Sequence, residues 1–204
     1  MPKERKKPGH RNIKSRLFIL CEGMKDKSES AYFKELIKHY RFDAKKVAVK
    51  VKDTVKNTGR ELVVEAKKLK EFPIDEVWVV YDMDGYTKHP STFSMARDSD
   101  INIAFSAISF EHWILLHFEE TTKAFLKSKD IISYMKKKEY ILYTKNAVNT
   151  YSQIKHLQGN AIKNAKKTRA LQISGNPEGT QWFEMNPFTN VDVLVERIIS
   201  LSID

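Results

Sequence analysis

The sequence contains very little cysteine and no long apolar run. Cys21 is the single cysteine in 204 residues, so the chain cannot form an internal disulfide, which fits a reducing cytoplasm. No apolar run approaches the roughly 20 residues that a membrane span requires. The basic N-terminus is followed only by the run Leu17–Cys21, which is too short for a signal-peptide core. We therefore expect a soluble cytoplasmic protein that makes no membrane contact.

Several motifs with known chemistry are also missing. The sequence has no phosphate-binding Walker loop, no glycine fingerprint for dinucleotides, no nucleophile elbow and no internal repeat. Any ATP dependence must then come from another subunit. No Cys/His spacing resembles a zinc site, and His112 and His117 are more typical of packed or surface histidines than of metal ligands.

The charge balance is basic and unevenly distributed. The chain has 36 Lys and Arg against 26 Asp and Glu, a formal net charge of +10. Residues 1–16 contribute +6 and residues 121–180 contribute +9, so the remainder is mildly acidic. A phosphate-rich partner would explain two basic segments on either side of an acidic one. Solvated lysine-rich helix faces are the alternative explanation.

Composition divides the chain into three parts. Residues 1–15 are rich in bases and poor in apolar residues, which indicates a flexible basic arm that either contacts nucleic-acid backbone or has no role. Residues 16–120 alternate apolar runs with amphipathic segments and predict an α/β core. Residues 121–204 read as helical with no clear strand, and we expect a basic helical extension packed on the core.

The order of elements predicts a mostly parallel, Rossmann-like sheet flanked by helices. Four segments are the predicted strands: the apolar runs Leu17–Cys21 and Val77–Tyr81, the alternating segment Val47–Val51, and Ile101–Ile108. Amphipathic helices are predicted to begin near Ser28, at Asn57–Gly59 and near Ser91. Alternation of strand and helix implies right-handed crossovers between parallel strands.

Carboxylates follow two of these strands. Asp82 and Asp84 come directly after the run Val77–Tyr81, and Glu22 follows the first strand. The carboxyl ends of parallel strands gather at one edge of a sheet, where binding crevices form. Neighbouring carboxylates repel each other unless a cation or a proton joins them, and oxygen ligands suit Mg²⁺ or Mn²⁺. The alternative is an Asp-rich turn whose acids bond only local backbone groups.

A fourth acid candidate is predicted near the same edge. Ser109 can cap a helix after the fourth strand, which would put Glu111 in the first turn of that helix. Glu111 is then either catalytic or a structural residue that the helix dipole favours.

The basic C-terminal part interleaves lysines with tyrosines. This composition can bind a nucleic-acid strand through backbone charge and base stacking, although tyrosines on amphipathic helices also serve as packing residues. The candidate nucleic-acid-binding residues are Lys25, Lys136, Lys137, Lys163, Lys167 and Arg169.

Dispersed sequence blocks carry a family resemblance. Glu22-Gly23 after a first strand and Asp82-x-Asp84 after a later one resemble the Toprim domain of topoisomerases, bacterial primases and OLD-type nucleases. The blocks CEG with SESAYF, VWVVYDMD, SFEHWILLHF, AIKNAK and NPFTNVDVLV together resemble the RloB-like family, a Toprim-related group associated with bacterial restriction and phage-defence loci. The resemblance covers Leu17–Val195 and leaves the basic arm outside.

The resemblance implies a Toprim-type site for metal-dependent phosphoryl transfer. Glu22 would act as general acid/base or ligand, and Asp82 and Asp84 as ligands of Mg²⁺ or Mn²⁺. Glu29 and Glu111 belong to other family blocks and are weaker candidates. The family's loci also encode an ATPase, so the expected partners are nucleic acid, a separate ATPase subunit and a second copy of the chain in a homodimer.

Two classes of function fit these features. The leading hypothesis is a Mg²⁺-dependent nuclease that acts in phage defence on DNA or on a structured RNA such as tRNA. The alternative is a non-catalytic nucleic-acid-binding or ATPase-partner module that keeps the fold. A primase-like enzyme is a third hypothesis, but the sequence shows no zinc module for template binding.

One departure from the family is the loop Met24–Lys27, which is longer than usual. No nucleophile motif is present, although Tyr81 and Tyr86 lie close to the acids.

Overall fold

A four-stranded parallel sheet forms the centre of the fold. The computed structural model describes residues 14–22, 28–83, 88–145 and 148–203. The strands are β1 (Ser15–Cys21), β2 (Val47–Lys52), β3 (Glu76–Asp82) and β4 (Asn102–Ser106). Their order across the sheet is β2-β1-β3-β4, and each neighbouring pair is parallel. The predicted α/β, Rossmann-like class with a helical C-terminal part is confirmed.

Helices first alternate with the strands and then follow one another. They are α1 (Ser28–His39), α2 (Gly59–Leu69), α3 (His89–Asp98), α4 (Glu111–Leu115), α5 (Ser128–Lys137), α6 (Thr150–Ile154), α7 (Gln158–Gly175) and α8 (Val191–Ser200). α2 begins where the sequence predicts, because the Thr58 hydroxyl accepts a hydrogen bond from the Glu61 amide at 3.3 Å. No helix in the described ranges is long and apolar enough to span a membrane.

Two predicted details around β4 are wrong. The strand covers Asn102–Ser106 rather than Ile101–Ile108, because Ile108 has a φ of 70° and leaves the extended region. Ser109 does not cap α4: the residue before the helix is Phe110, which is itself in the helical conformation, and no side chain caps this helix.

The strands β1 and β3 divide their apolar side chains between two cores, as the alternation of a strand requires. Phe18 and Tyr81 lie in the core that α2 and α3 cover. Ile19 lies in the opposite core, which also contains Met135 of α5 and Leu194 of α8. The helices after residue 121 therefore pack into the same hydrophobic core as one face of the sheet.

The segment Phe188–Asn190 covers the outer edge of β4. The Phe105 amide donates to Asn190 Oδ1 at 2.7 Å, and Asn190 Nδ2 donates to the Ile103 carbonyl at 2.9 Å. An edge strand otherwise presents unpaired backbone groups that invite association with other chains. The block NPFTNVDVLV thus closes the sheet at its β4 edge.

An ion pair joins the start of β1 to the turn before β3. Arg16 Nε donates to the Asp75 carboxylate at 2.8 Å, and the amides of Glu71 and Phe72 donate to the same carboxylate at 3.0 and 2.8 Å. The hydrogen bond from Arg16 is the main reason that the pKa of Asp75 lies below its ordinary value. The charged form of Asp75 therefore stabilises the fold.

Asp75→Asn is expected to destabilise the protein in a pH-dependent way. A depressed pKa in the folded state gives stabilisation that is present above the unfolded pKa of about 4 and is lost as the pH falls through the folded value. Urea unfolding should give a lower midpoint for the variant at neutral pH, and the difference from wild type should shrink in acid. A difference that does not change with pH would assign the effect to packing rather than to charge.

Candidate metal centre

The ends of β1 and β3 bring two of the predicted acids together. Cys21 of β1 pairs with Val80 of β3, and the Glu22 amide donates to the Val80 carbonyl at 3.0 Å. The Asp82 amide donates to a carboxylate oxygen of Glu22 at 3.4 Å. Glu22 and Asp82 therefore lie side by side at the carboxyl edge of the sheet.

The environment of Asp82 opposes its negative charge. Desolvation by burial raises the pKa of Asp82 well above its ordinary value, and repulsion from Glu29, Glu111 and Glu22 raises it further. A hydrogen bond from the Phe110 amide has the opposite effect on this pKa. Asp82 Oδ1 is buried and has no hydrogen-bond partner among the described residues. A cation beside this oxygen would relieve both the desolvation and the repulsion.

Glu29 belongs to the same electrostatic cluster. It lies in the first turn of α1, the helix that follows β1. Burial raises the pKa of Glu29 and the charge of Glu111 adds to the increase, whereas a hydrogen bond from Ser28 and the charge of Lys145 lower it. The first turn of α1 thus contributes a third acid to the edge where Glu22 and Asp82 lie.

Glu111 is only 1% exposed and is held by two hydroxyl groups from the C-terminal part. The Ser128 hydroxyl donates to one of its carboxylate oxygens at 2.9 Å, and the Tyr143 hydroxyl donates to the other at 3.1 Å. Burial, followed by the charge of Glu111, raises the pKa of Tyr143, so this hydroxyl stays protonated and can donate. These bonds give Glu111 structural contacts, and its charge acts on Asp82, while its catalytic role stays a prediction.

Sequence reasoning missed Ser128, Tyr143 and Lys145. The first two lie 17 and 32 residues after the carboxylate that they bind. Long-range contacts of this kind leave no local motif. The interleaving of tyrosines and lysines is a signal for the region as a whole, but it does not separate Tyr143 or Lys145 from their neighbours.

The donor set at this edge suits a hard divalent cation. Mg²⁺ is commonly bound by one or two carboxylates and completes its shell with water and substrate phosphate, which Glu22 and Asp82 can match. Within the described part of the chain, no group of three or more His, Cys, Asp or Glu side chains converges on a point that could hold a metal ion. The third predicted ligand, Asp84, and the predicted phosphate contact Lys25 lie outside the described residues.

The predicted nucleic-acid contacts have different surroundings. Lys136, Lys137 and Lys163 are exposed. Lys167 is also exposed, but its ammonium group pairs with Glu120 at 2.9 Å. The first three are therefore better suited to a polyanion than Lys167, whose charge is already compensated.

Arg169 is part of the fold rather than of an open basic surface. Its guanidinium donates to the two carboxylate oxygens of Asp192 at 2.5 and 2.8 Å and to the Thr189 carbonyl at 2.9 Å. The Asp192 side chain is completely buried. The guanidinium thus connects α7 to the start of α8.

The two histidines of α4 and the residues after it are packed in the core. His112 and His117 are both buried, and desolvation lowers the pKa of each to about 4, so both are neutral at physiological pH. His117 Nδ1 lies 3.0 Å from the Trp113 carbonyl. Of the two expected surroundings, packed or surface, both histidines have the packed one.

Tyr81 is a packing residue on the face of β3 opposite to Asp82. Its ring lies so close to the first residue of α2 that a Cβ built on Gly59 would be 2.6 Å from a ring carbon. Gly59 is therefore needed for close packing of α2 on the sheet. Tyr86, the other tyrosine near the acids, lies outside the described residues.

A comparison with protein families matches residues 17–198 to the family described as RloB-like protein. The chain belongs to the RloB-like family. The matched region of this RloB-like protein runs from β1 into α8 and includes Glu22, Asp82 and Glu111. Comparisons with curated proteins and with solved structures gave no match.

Proposed function

We propose that this RloB-like protein is a metal-dependent nuclease with a Toprim-type site, which hydrolyses phosphodiester bonds of DNA or RNA, such as tRNA, in bacterial anti-phage defence. The proposal depends above all on Asp82, a carboxyl group with a buried, unpartnered oxygen among the described residues and with three acids that oppose its ionisation. Strongly perturbed carboxyl groups of this kind are concentrated at functional sites. Membership of the RloB-like family and the net charge of +10 support a nucleic-acid substrate.

The acids have two kinds of role in the proposed reaction, metal binding and proton transfer. Glu22, Asp82 and Asp84 would hold Mg²⁺ or Mn²⁺, which when bound neutralises charge on the scissile phosphate and makes water a better nucleophile. Glu22 is the candidate general acid/base at the end of β1. Glu29, whose pKa is raised by burial, can exchange a proton closer to neutral pH than an ordinary carboxyl group can.

The residues around the acids orient the site and attract the phosphate. Ser128 and Tyr143 fix the position of the Glu111 carboxylate through hydrogen bonds of 2.9 and 3.1 Å. Lys145 is exposed and lowers the pKa of Glu29 by its charge, which makes it a candidate for a contact with the substrate backbone.

A non-catalytic module is the second candidate function. One observation favours it: within the described residues, no three acid, cysteine or histidine side chains converge on a metal position. In that case the protein binds nucleic acid or an ATPase subunit, and its acids bind a cation for structure alone. Tight binding of nucleic acid without turnover is the outcome that this alternative predicts.

Cleavage assays separate the two candidates. Purified protein, with and without a co-expressed ATPase subunit, is incubated with single- and double-stranded DNA, RNA and tRNA in Mg²⁺, Mn²⁺ or EDTA. We expect cleavage of at least one class of substrate in Mg²⁺ or Mn²⁺ and none in EDTA. If no substrate is cut under any of these conditions while binding persists, the nuclease proposal is wrong and the binding module is favoured.

A further inference from the structure

A cavity lies on the face of α5 that carries Tyr134 and Lys137. Its volume is about 630 Å³, within the range of typical ligand sites. The residues that define its chemistry are Lys123, Phe125, Asp130, Tyr134, Lys137 and Lys138. Three ammonium groups and an aromatic wall in one cavity indicate a ligand that carries negative charge.

Two of the three cavity lysines are oriented by an aromatic ring without losing their charge. Lys123 Nζ lies 4.3 Å from the ring centroid of Tyr134, and Lys138 Nζ lies 5.7 Å from the same centroid. A cation–π contact orients an ammonium group but does not neutralise it. None of the three cavity lysines forms an ion pair with another described residue, whereas Lys166 of α7 pairs with Glu196 at 2.6 Å.

The two nearby acids have other functions. Asp130 is in the first turn of α5, where the helix dipole favours a carboxylate. Glu119 accepts a hydrogen bond from the Tyr134 hydroxyl at 2.9 Å and so fixes the ring that the lysines contact. Residues 119–139 contain six lysines and four acids, so the formal charge of this stretch remains positive.

α5 connects this cavity to the acid cluster. The helix begins at Ser128, whose hydroxyl donates to Glu111 at 2.9 Å, and Lys137 is its last residue. Nine residues of helix correspond to about 14 Å along the axis. A single strand of a few nucleotides covers this distance.

We propose that the cavity binds the phosphate and sugar of one nucleotide in a single-stranded segment of the nucleic-acid substrate, a few nucleotides from the bond at the acid site. This proposal rests on the proposed nuclease function for the identity of the strand. The three lysines bind phosphate, while the Tyr134 ring and the lysine stems form an apolar wall for the sugar or base. A free nucleotide carries the same phosphate, sugar and base, and the experiment distinguishes a free nucleotide from one within a strand.

The test is a binding assay that does not depend on cleavage. Anisotropy of a labelled single-stranded oligonucleotide of about 12 nucleotides is measured in EDTA over a series of salt concentrations. The cavity variant combines Lys137→Ala with Lys138→Ala. The charge-matched control combines Lys127→Ala with Lys129→Ala. Lys127 directly precedes α5 and Lys129 lies in its first turn, and both are exposed and do not line the cavity. Lys123→Glu is a second cavity variant, on a different segment of chain.

The expected result is weaker binding for both cavity variants and near-wild-type binding for the control. The slope of log affinity against log salt should fall by about 0.7 for the double cavity variant, because the cavity binds one phosphate and each phosphate contact with a single strand contributes about 0.7. An equal loss in the control would overturn the proposal in favour of a diffuse basic surface. Binding of a nucleoside monophosphate as tight as that of the strand would overturn it in favour of a free nucleotide. Because this assay is run in EDTA and measures no cleavage, a failure of the cavity is distinguishable from a failure of the nuclease proposal.

Discussion

Asp82→Asn is expected to reduce metal-dependent cleavage by more than about 100-fold. Replacing a residue that only hydrogen-bonds to a metal ligand already lowers metal affinity or activity by about 10- to 100-fold, and Asp82 is proposed as a ligand itself. The amide keeps the shape of the side chain but removes the charge that attracts a cation. Binding of nucleic acid should be unchanged or tighter, since a negative charge is removed from the edge that faces the phosphate. Initial cleavage rates and anisotropy on the same substrate measure the two effects separately.

The same substitution should stabilise the metal-free protein. Burial and three neighbouring acids raise the pKa of Asp82 in the folded state. The wild type therefore loses stability as the pH rises through this pKa, whereas the variant does not, because its amide group does not ionise. Mg²⁺ should then raise the unfolding midpoint of the wild type but not of the variant. Glu178→Gln, which removes an exposed carboxylate far along the sequence, is the matched control and should change neither midpoint nor cleavage. Wild-type cleavage by Asp82→Asn would contradict the proposed role of this residue.

Arg169→Ala is expected to destabilise the fold by about 3–5 kcal/mol, the usual cost of removing one partner of a buried ion pair. The substitution leaves the Asp192 carboxylate buried without its guanidinium partner and frees the Thr189 carbonyl as well. The start of α8 is adjacent to the segment that covers β4, so the loss is expected to affect the sheet edge. Urea unfolding at neutral pH measures the change in the free energy of unfolding.

A lysine on the same helix provides the control for this experiment. Lys163 is exposed and forms no ion pair with another described residue, so Lys163→Ala should change the free energy of unfolding by less than about 0.5 kcal/mol. If Arg169→Ala leaves stability at the wild-type level but weakens nucleic-acid binding, Arg169 is a substrate contact, as the basic pattern of the sequence suggests, and the structural role is wrong.

Most of the sheet could be predicted from the sequence because its strands are continuous apolar runs. Val77–Tyr81 lies within β3 and Leu17–Cys21 lies within β1, since strands buried on both faces need no polar alternation. β4 was harder to delimit. Its predicted last residue, Ile108, is apolar and β-branched, yet the backbone there has a positive φ that no periodicity reveals.

The candidate site was predictable only in part. Glu22 and Asp82 lie at the ends of adjacent parallel strands. Their proximity follows from the order of elements, because the carboxyl ends of parallel strands meet at one edge of a sheet. The contacts of Tyr143 with Glu111 and of Arg169 with Asp192 depend on how the C-terminal helices pack on the sheet. Local charge patterns did not distinguish a lysine in an aromatic cavity from one in an ion pair, because the partners are distant in sequence.

Diffraction from crystals soaked in Mn²⁺ tests the central claim most directly, because anomalous scattering identifies the ion independently of any cleavage assay. We predict one anomalous peak at the carboxyl edge of the sheet, with carboxylate oxygens of Glu22, Asp82 and Asp84 as its protein ligands at about 2.1 Å. Crystals of Asp82→Asn soaked in parallel should lack this peak. No peak at this edge in the wild type, or a peak that persists unchanged in Asp82→Asn, would contradict the assignment of a metal centre to these residues.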